Sequence, residues 1–180
     1  MKVKWGVFLL LFFLFFSIFV FAADEMENPD IFLERTAKIT NSDVDNLAIN
    51  NFYLYNYTEQ RVVSLNSYQG SVVLLEFWAS WSRHCLQEIQ VLNDLHAKYS
   101  KKGLTILAIN IEDKEVAREF LKNNPQIKFN VLFGAENMAR EYNLSGLPCI
   151  YLPDRRLEVS KKLSGFVDRR TLDKEIKKML

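Results

Sequence analysis

The chain is poor in the residues that build metal centres and disulfide scaffolds: its 180 residues hold two cysteines and two histidines. Their spacing matches no strong metal signature, although His84, Cys85 and Cys149 would offer soft ligands if brought together. No metal and no cofactor is expected. The Gly-x-Ser-x-Gly turn of a hydrolase nucleophile is absent. His84 lies two residues from Ser82 at a helix start, where neighbouring side chains diverge, so no Ser-His-acid triad follows. An excess of positive charge is missing as well, with 23 basic against 22 acidic residues. Without Lys2 and Lys4 the chain is near neutral and has no basic stripe, which excludes nucleic acid as an expected partner. There is no internal repeat, and no low-complexity tract beyond the first residues.

What is present begins with a long apolar run. Lys2 and Lys4 precede an uncharged stretch from Trp5 to Phe21, and Val20-Phe21-Ala22 supplies small or short residues at cleavage positions. Residues 1–22 therefore read as a signal peptide or an N-terminal membrane anchor, since residues 5–21 approach the roughly 18 apolar residues a spanning helix requires. Export to a periplasmic or other extracytoplasmic compartment is expected either way. Residues 23–51 are polar and mildly acidic and read as a linker, with a short helix expected at Ile31–Ile39. The remainder, residues 52–180, suffices for one domain with its own core.

Within that domain Phe52–Tyr55 and Val62–Leu65 are β-prone runs joined by a polar connection, a hairpin pattern. Val72–Trp78 is almost continuously apolar, as in a strand covered on both faces. Cys85, Leu86, Ile89, Leu92, Leu95 and Tyr99 then repeat at helical spacing, with Ser82 placed as the N-cap. Leu104–Ile111 reads as a second buried strand. Asp113 caps a helix carrying Val116, Ala117, Phe120 and Leu121, which Pro125 stops. A short strand at Phe129–Phe133, a helical turn at Met138–Tyr142, a hairpin from Cys149–Leu152 and Leu157–Leu163, and a final helix with Leu172, Ile176 and Met179 complete the pattern. Strands alternating with helices give an α/β sheet with helices on both sides.

Phe77-Trp78-Ala79-Ser80-Trp81-Ser82-Arg83-His84-Cys85 resembles the Phe-Trp-Ala-x-Trp-Cys-x-x-Cys signature of thioredoxin-like proteins of the TlpA type. The resemblance runs from about Phe52 to the C-terminus. It includes Ser64-Leu65-x-x-Tyr68-x-Gly70, Gly103-Leu104 and the loop Tyr142-Asn143-Leu144-Ser145-Gly146-Leu147-Pro148. It implies a thioredoxin-like fold, a central mixed β-sheet flanked by helices, here with an N-terminal β-hairpin. It implies thiol-disulfide oxidoreductase activity on protein thiols or disulfides outside the cytoplasm. By resemblance Cys85 takes the place of the second, more buried cysteine, Glu76 that of the buried acid beneath the motif, and Glu88 that of a carboxylate one turn along the helix. Pro148 corresponds to the cis-proline and Leu147 to the residue whose backbone meets substrate. Ser82 replaces the attacking cysteine. Apart from the resemblance, Trp78 and Trp81 read as core and rim aromatics, and an exposed Trp81 would also be available to contact a partner.

The resemblance also sets the cis-proline loop against the motif, which brings Cys149 toward Cys85. A Cys85–Cys149 disulfide is the expected replacement for the missing pair, constraining the unfolded chain by about 4 kcal/mol. The catalytic set is then Cys85, Ser82 and Glu76. Ser82 is explained either as a cap alone or as a hydroxyl that favours the Cys85 thiolate. Glu76, a charge inside an apolar strand, is expected to have a raised pKa and to accept a proton from Cys85. Two other functions stay open: a non-catalytic thioredoxin-like binding domain, and a one-cysteine peroxidase, because Ser82-x-x-Cys85 mimics the Thr/Ser-x-x-Cys motif of peroxiredoxins.

Overall fold

The computed structural model describes residues 49–180. The expected leader at 1–22, and the linker up to residue 48 with its short helix, lie outside the described residues. Thirteen elements of regular structure follow in the order β1 (Tyr53–Asn56), β2 (Arg61–Ser64), a 3-10 turn (Leu65–Tyr68), β3 (Val72–Trp78), α1 (Arg83–Tyr99), a 3-10 turn (Ser100–Lys102), β4 (Leu104–Asn110), α2 (Lys114–Asn123), β5 (Asn130–Phe133), α3 (Met138–Glu141), β6 (Cys149–Pro153), β7 (Val159–Ser164) and α4 (Arg169–Met179).

All seven strands join one sheet in the order β2-β1-β5-β4-β3-β6-β7. The centre is parallel, β3 to β4 and β4 to β5, and both crossovers run through helices. The flanks are antiparallel: β6 pairs with β3, β7 with β6, and β1 with β5. The expected N-terminal hairpin is present, β1 against β2 with Tyr53 opposite Ser64. It is an integral edge of the sheet rather than an appendage. Leu65, read as the end of a strand, instead opens the 3-10 turn.

Strand alternation sorts the core into two layers. Val72, Leu74 and Trp78 of β3 face Ile89, Leu92 and Leu95 of α1, Ala117 and Leu121 of α2, and Leu172 and Ile176 of α4. Val73, Leu75 and Phe77 face the other side, with Phe52, Met138, Tyr142 and Tyr151. The near-continuous apolarity of β3 has this cause, for every one of its seven residues is buried. Glu76 is the exception in chemistry, and it points into the α1 layer between Ala108 of β4 and Ile150 of β6.

The same alternation overturns the expected disulfide. Cys85 lies in the α1 layer and Cys149, in register with Phe77, lies in the opposite layer with Tyr151. Both are free, buried thiols. Proximity of the Leu147–Pro148 loop to the motif was the ground for pairing them. One residue beyond the proline, however, the pleat turns the Cys149 side chain through the sheet and away from α1.

Candidate functional site

The site forms where β3 and β4 end side by side. The chain leaves β3 at Trp78, turns through Ala79-Ser80-Trp81, and enters α1 with Ser82 as N-cap. The Ser82 N–H donates to the Ala79 carbonyl at 3.2 Å. The Ser82 hydroxyl accepts from the Cys85 N–H at 3.4 Å and satisfies one of the amides a helix start leaves open. Trp78 is in the core, whereas Trp81, 72% exposed, stands out from the turn.

Cys85 is fully buried on the inner face of α1. Burial pushes its thiol up to about 12, against the smaller pull of the Ser82 hydroxyl and the Ala79 backbone and with the added push of Glu76 and Glu88. A hydroxyl that favours the thiolate is thus present, and desolvation outweighs it. Cys149 is raised to about 11 for the same main reason, burial, moderated by Lys162 and the Ser164 hydroxyl.

Glu76 and Glu88 are both buried, one from β3 and one from α1. Glu88 Oε1 accepts the Val167 N–H at 2.7 Å. Among the described residues its second oxygen and both oxygens of Glu76 have no hydrogen-bond partner other than each other's carboxyl group. Burial, and then the charge of Glu88, holds the Glu76 carboxyl well above the usual carboxylate range. Glu88 is raised too, by burial, with the Val167 N–H working against it. Two carboxyl groups enclosed in hydrocarbon retain protons at neutral pH that they would release in water.

The Leu147–Pro148 peptide bond is cis, and its loop forms one wall of a groove of about 990 Å³ whose lining includes Trp81, Glu112, Gly134, Leu144, Ser145 and Leu147. Gly134 is required at the floor: a Cβ there would stand 2.7 Å from Ile109 Cγ2 and 2.8 Å from the Asn110 carbonyl oxygen. Of the expected site residues, Ser82, Cys85 and Glu76 thus gather under α1, Trp81 and Leu147 flank the groove, and Cys149 is separated from them by the sheet. Asn110 and Glu112, which tie the motif turn to β4, were missed in the sequence. Their only signal there was a pair of polar residues alternating with Ile111 at the end of an apolar strand. Among the described residues no cluster of three or more His, Cys, Asp or Glu side chains is arranged to hold a metal ion, so His84, Cys85 and Cys149 do not converge.

A mixed sheet with this strand order, a motif turn capping a helix after the central strand, and a cis-proline loop that shares a groove with that turn define a thioredoxin-like protein of the TlpA type. Comparison with known proteins agrees. Residues 46–162 match the AhpC/TSA family, and the chain belongs to it. It is similar to the thiol-disulfide oxidoreductase ResA of Geobacillus kaustophilus, 26% identical over 113 residues that make up 62% of this chain and 65% of that protein. The ResA of Bacillus thuringiensis subsp. konkukian is 28% identical over 123 residues, 67% of this chain and 70% of that one. The chain thus spans just under two thirds of the Geobacillus relative. Among solved structures, a candidate thiol:disulfide interchange protein, DsbE, from Chlorobium tepidum superposes with a TM-score of 0.67 at 34% identity, over 72% of this chain and 93% of its own. A thioredoxin-type solution structure from Neisseria meningitidis, at 24% identity and a TM-score of 0.64 over 73% and 89% of the two chains, shares the fold.

Proposed function

We propose that this member of the thiol-disulfide oxidoreductase family works outside the cytoplasm as a docking protein for extended, cysteine-bearing polypeptides, and that it has lost the attacking half of disulfide exchange. The observation that carries the reading is the pairing of Ser82 at the helix mouth with a single motif sulfur, Cys85, that is sealed and raised to about 12. Exchange starts with an accessible thiolate. A hydroxyl at the attacking position does not provide one.

The docking half is intact. Trp81 and Leu147 flank an open groove, and an exposed aromatic at the side of an open groove suits an extended chain. The named activity of the ResA relatives supports a ligand that carries thiols or a disulfide. Lys2, Lys4 and the uncharged run from Trp5 to Phe21 support export, with residues 1–22 removed or with residues 5–21 kept as an anchor. Residues 23–51 then serve as a tether for the domain at 52–180.

A second reading is favoured by Glu76, retained beneath Cys85 as a proton acceptor. In it, a local opening admits water to Cys85 and Glu76 together, Glu76 releases its own proton to that water, and the resulting carboxylate takes the proton of Cys85. Its sulfur then attacks one sulfur of a substrate disulfide, forming a mixed disulfide and releasing the other substrate sulfur as a thiolate. Peroxidase chemistry at Cys85 has less support, because a thiol raised this far offers almost no thiolate to a peroxide at neutral pH.

Disulfide reduction driven by a small dithiol separates these readings when wild type is compared with Ser82→Cys. The expected outcome is turnover by the variant and none by wild type. Wild-type turnover that disappears in Cys85→Ala would replace docking with single-cysteine exchange. A sulfenate trapped at Cys85 after dilute peroxide would restore the peroxidase.

A further inference from the structure

Glu112 follows β4 by two residues, outside the Phe77–Cys85 motif and the cis-proline loop, and lines the groove with Trp81. Its carboxylate nevertheless receives three hydrogen bonds. Oε2 accepts the Ser80 N–H at 2.5 Å and the Asn110 Nδ2–H at 2.8 Å, and Oε1 accepts the Ser80 hydroxyl at 2.9 Å. Its own N–H donates to Asn110 Oδ1 at 2.9 Å, and Asn110 is fully buried. All three donors to the carboxylate are neutral, and no ion pair to Glu112 exists among the described residues. Charge-assisted bonds of this kind are the stronger class of hydrogen bond.

These bonds hold the motif turn. Ser80 is fixed by Glu112 through its backbone and side chain together, and Ser82 is fixed by its role as the cap of α1. Trp81 lies between the two clamped residues. The Ile111 N–H donates to the Trp78 carbonyl at 3.2 Å and carries the β3–β4 ladder one step past the strands, which aligns the clamp.

We infer that Glu112 is a positioning residue which, through Ser80, holds the Trp81 turn in the conformation that forms the groove wall. The inference rests on the docking reading above and adds the device that preorganises it. An exposed tryptophan on an unclamped turn would have to be ordered each time a polypeptide binds, and that cost would be subtracted from affinity.

The test uses the protein labelled with 5-fluorotryptophan, its Trp81 resonance assigned by Trp81→Phe. The probe peptide is a reduced heptapeptide with one central cysteine among alanines. Glu112→Ala is expected to shift and broaden the Trp81 signal, leave the Trp78 signal in place, and weaken peptide binding about tenfold, roughly the worth of one charge-assisted bond. Glu112→Gln should restore both readouts, since its amide oxygen can take the Ser80 N–H while its NH2 donates to the Ser80 hydroxyl. Ser80→Ala, which removes one bond of the three, should give an intermediate shift and serves where Glu112→Ala fails to fold. A Trp81 signal that ignores these substitutions overturns the inference, as does one that moves without any change in affinity. Failure of the wild-type protein to bind the peptide sinks the docking reading instead, and the ligand-free fluorine signal still reports on the clamp.

Discussion

Ser82 and Cys85 share the first turn of α1, and the hydrogen bond between them joins hydroxyl oxygen to backbone amide at 3.4 Å. The hydroxyl therefore acts in two ways, as a cap and as a group that lowers the Cys85 pKa, while burial sets the final value near 12. Ser82→Ala separates the two. Loss of the cap should lower stability by about 1 kcal/mol, read as a shift in the urea midpoint. Loss of the hydroxyl should move ionisation of Cys85 still higher, read from the Cβ chemical shift of labelled cysteine during a pH titration. In wild type that shift should stay flat across the neutral range. A Cys85 that ionises there would mean the thiol is in contact with solvent, and would return the chain to active thiol chemistry.

At the scale of elements, α1 is held by one apolar stripe against β3 and β4, with Leu92 and Leu95 at its centre and fully buried. Leu92→Ala should cost 2–5 kcal/mol through lost transfer energy and the cavity left behind. On α2, Val116 is 52% exposed, so Val116→Ala should stay within about 0.5 kcal/mol. Denaturant unfolding of the two variants checks the contrast, and similar costs would mean that the layer assignment is wrong. The stripe on α1 could be read from the sequence because helical spacing is a local signal. So could β3, where seven apolar or enclosed residues run together, and Glu76 stood out in it as a charge without an evident partner. What connects distant segments was not legible. Nothing local says that β1 pairs antiparallel with β5, and Asn110-Ile111-Glu112 reads as an ordinary polar exit from a strand. The Cys85–Cys149 pairing failed for a related reason. Closeness of two loops says nothing about side-chain direction, and a single step along β6 reverses it.

For the molecule as a whole, the buried Glu76–Glu88 pair links stability to pH. An unfolded chain releases these protons near the ordinary carboxylate value of 4.5, whereas the native pair retains protons to higher pH. Above about 4.5 the native state therefore binds more protons than the unfolded state, and stability falls as pH rises until the native pair ionises. The limiting slope is about 1.4 kcal/mol per pH unit for each retained proton. The contribution is fully present below about pH 4.5 and lost as pH rises through the raised native value, opposite in sign to that of a salt-bridged carboxylate such as Asp173, whose pKa is depressed by Lys177, Lys98 and Tyr99. The urea midpoint of wild type should accordingly fall between about pH 5 and pH 8. Glu76→Gln keeps the shape but has no proton to lose, so it should flatten the slope even where the unsatisfied amide lowers stability in acid. A wild-type midpoint that rises across this range would show that the pair is already ionised in the fold, and an ionised pair there would require a compensating cation or solvent access that the α1 layer does not supply.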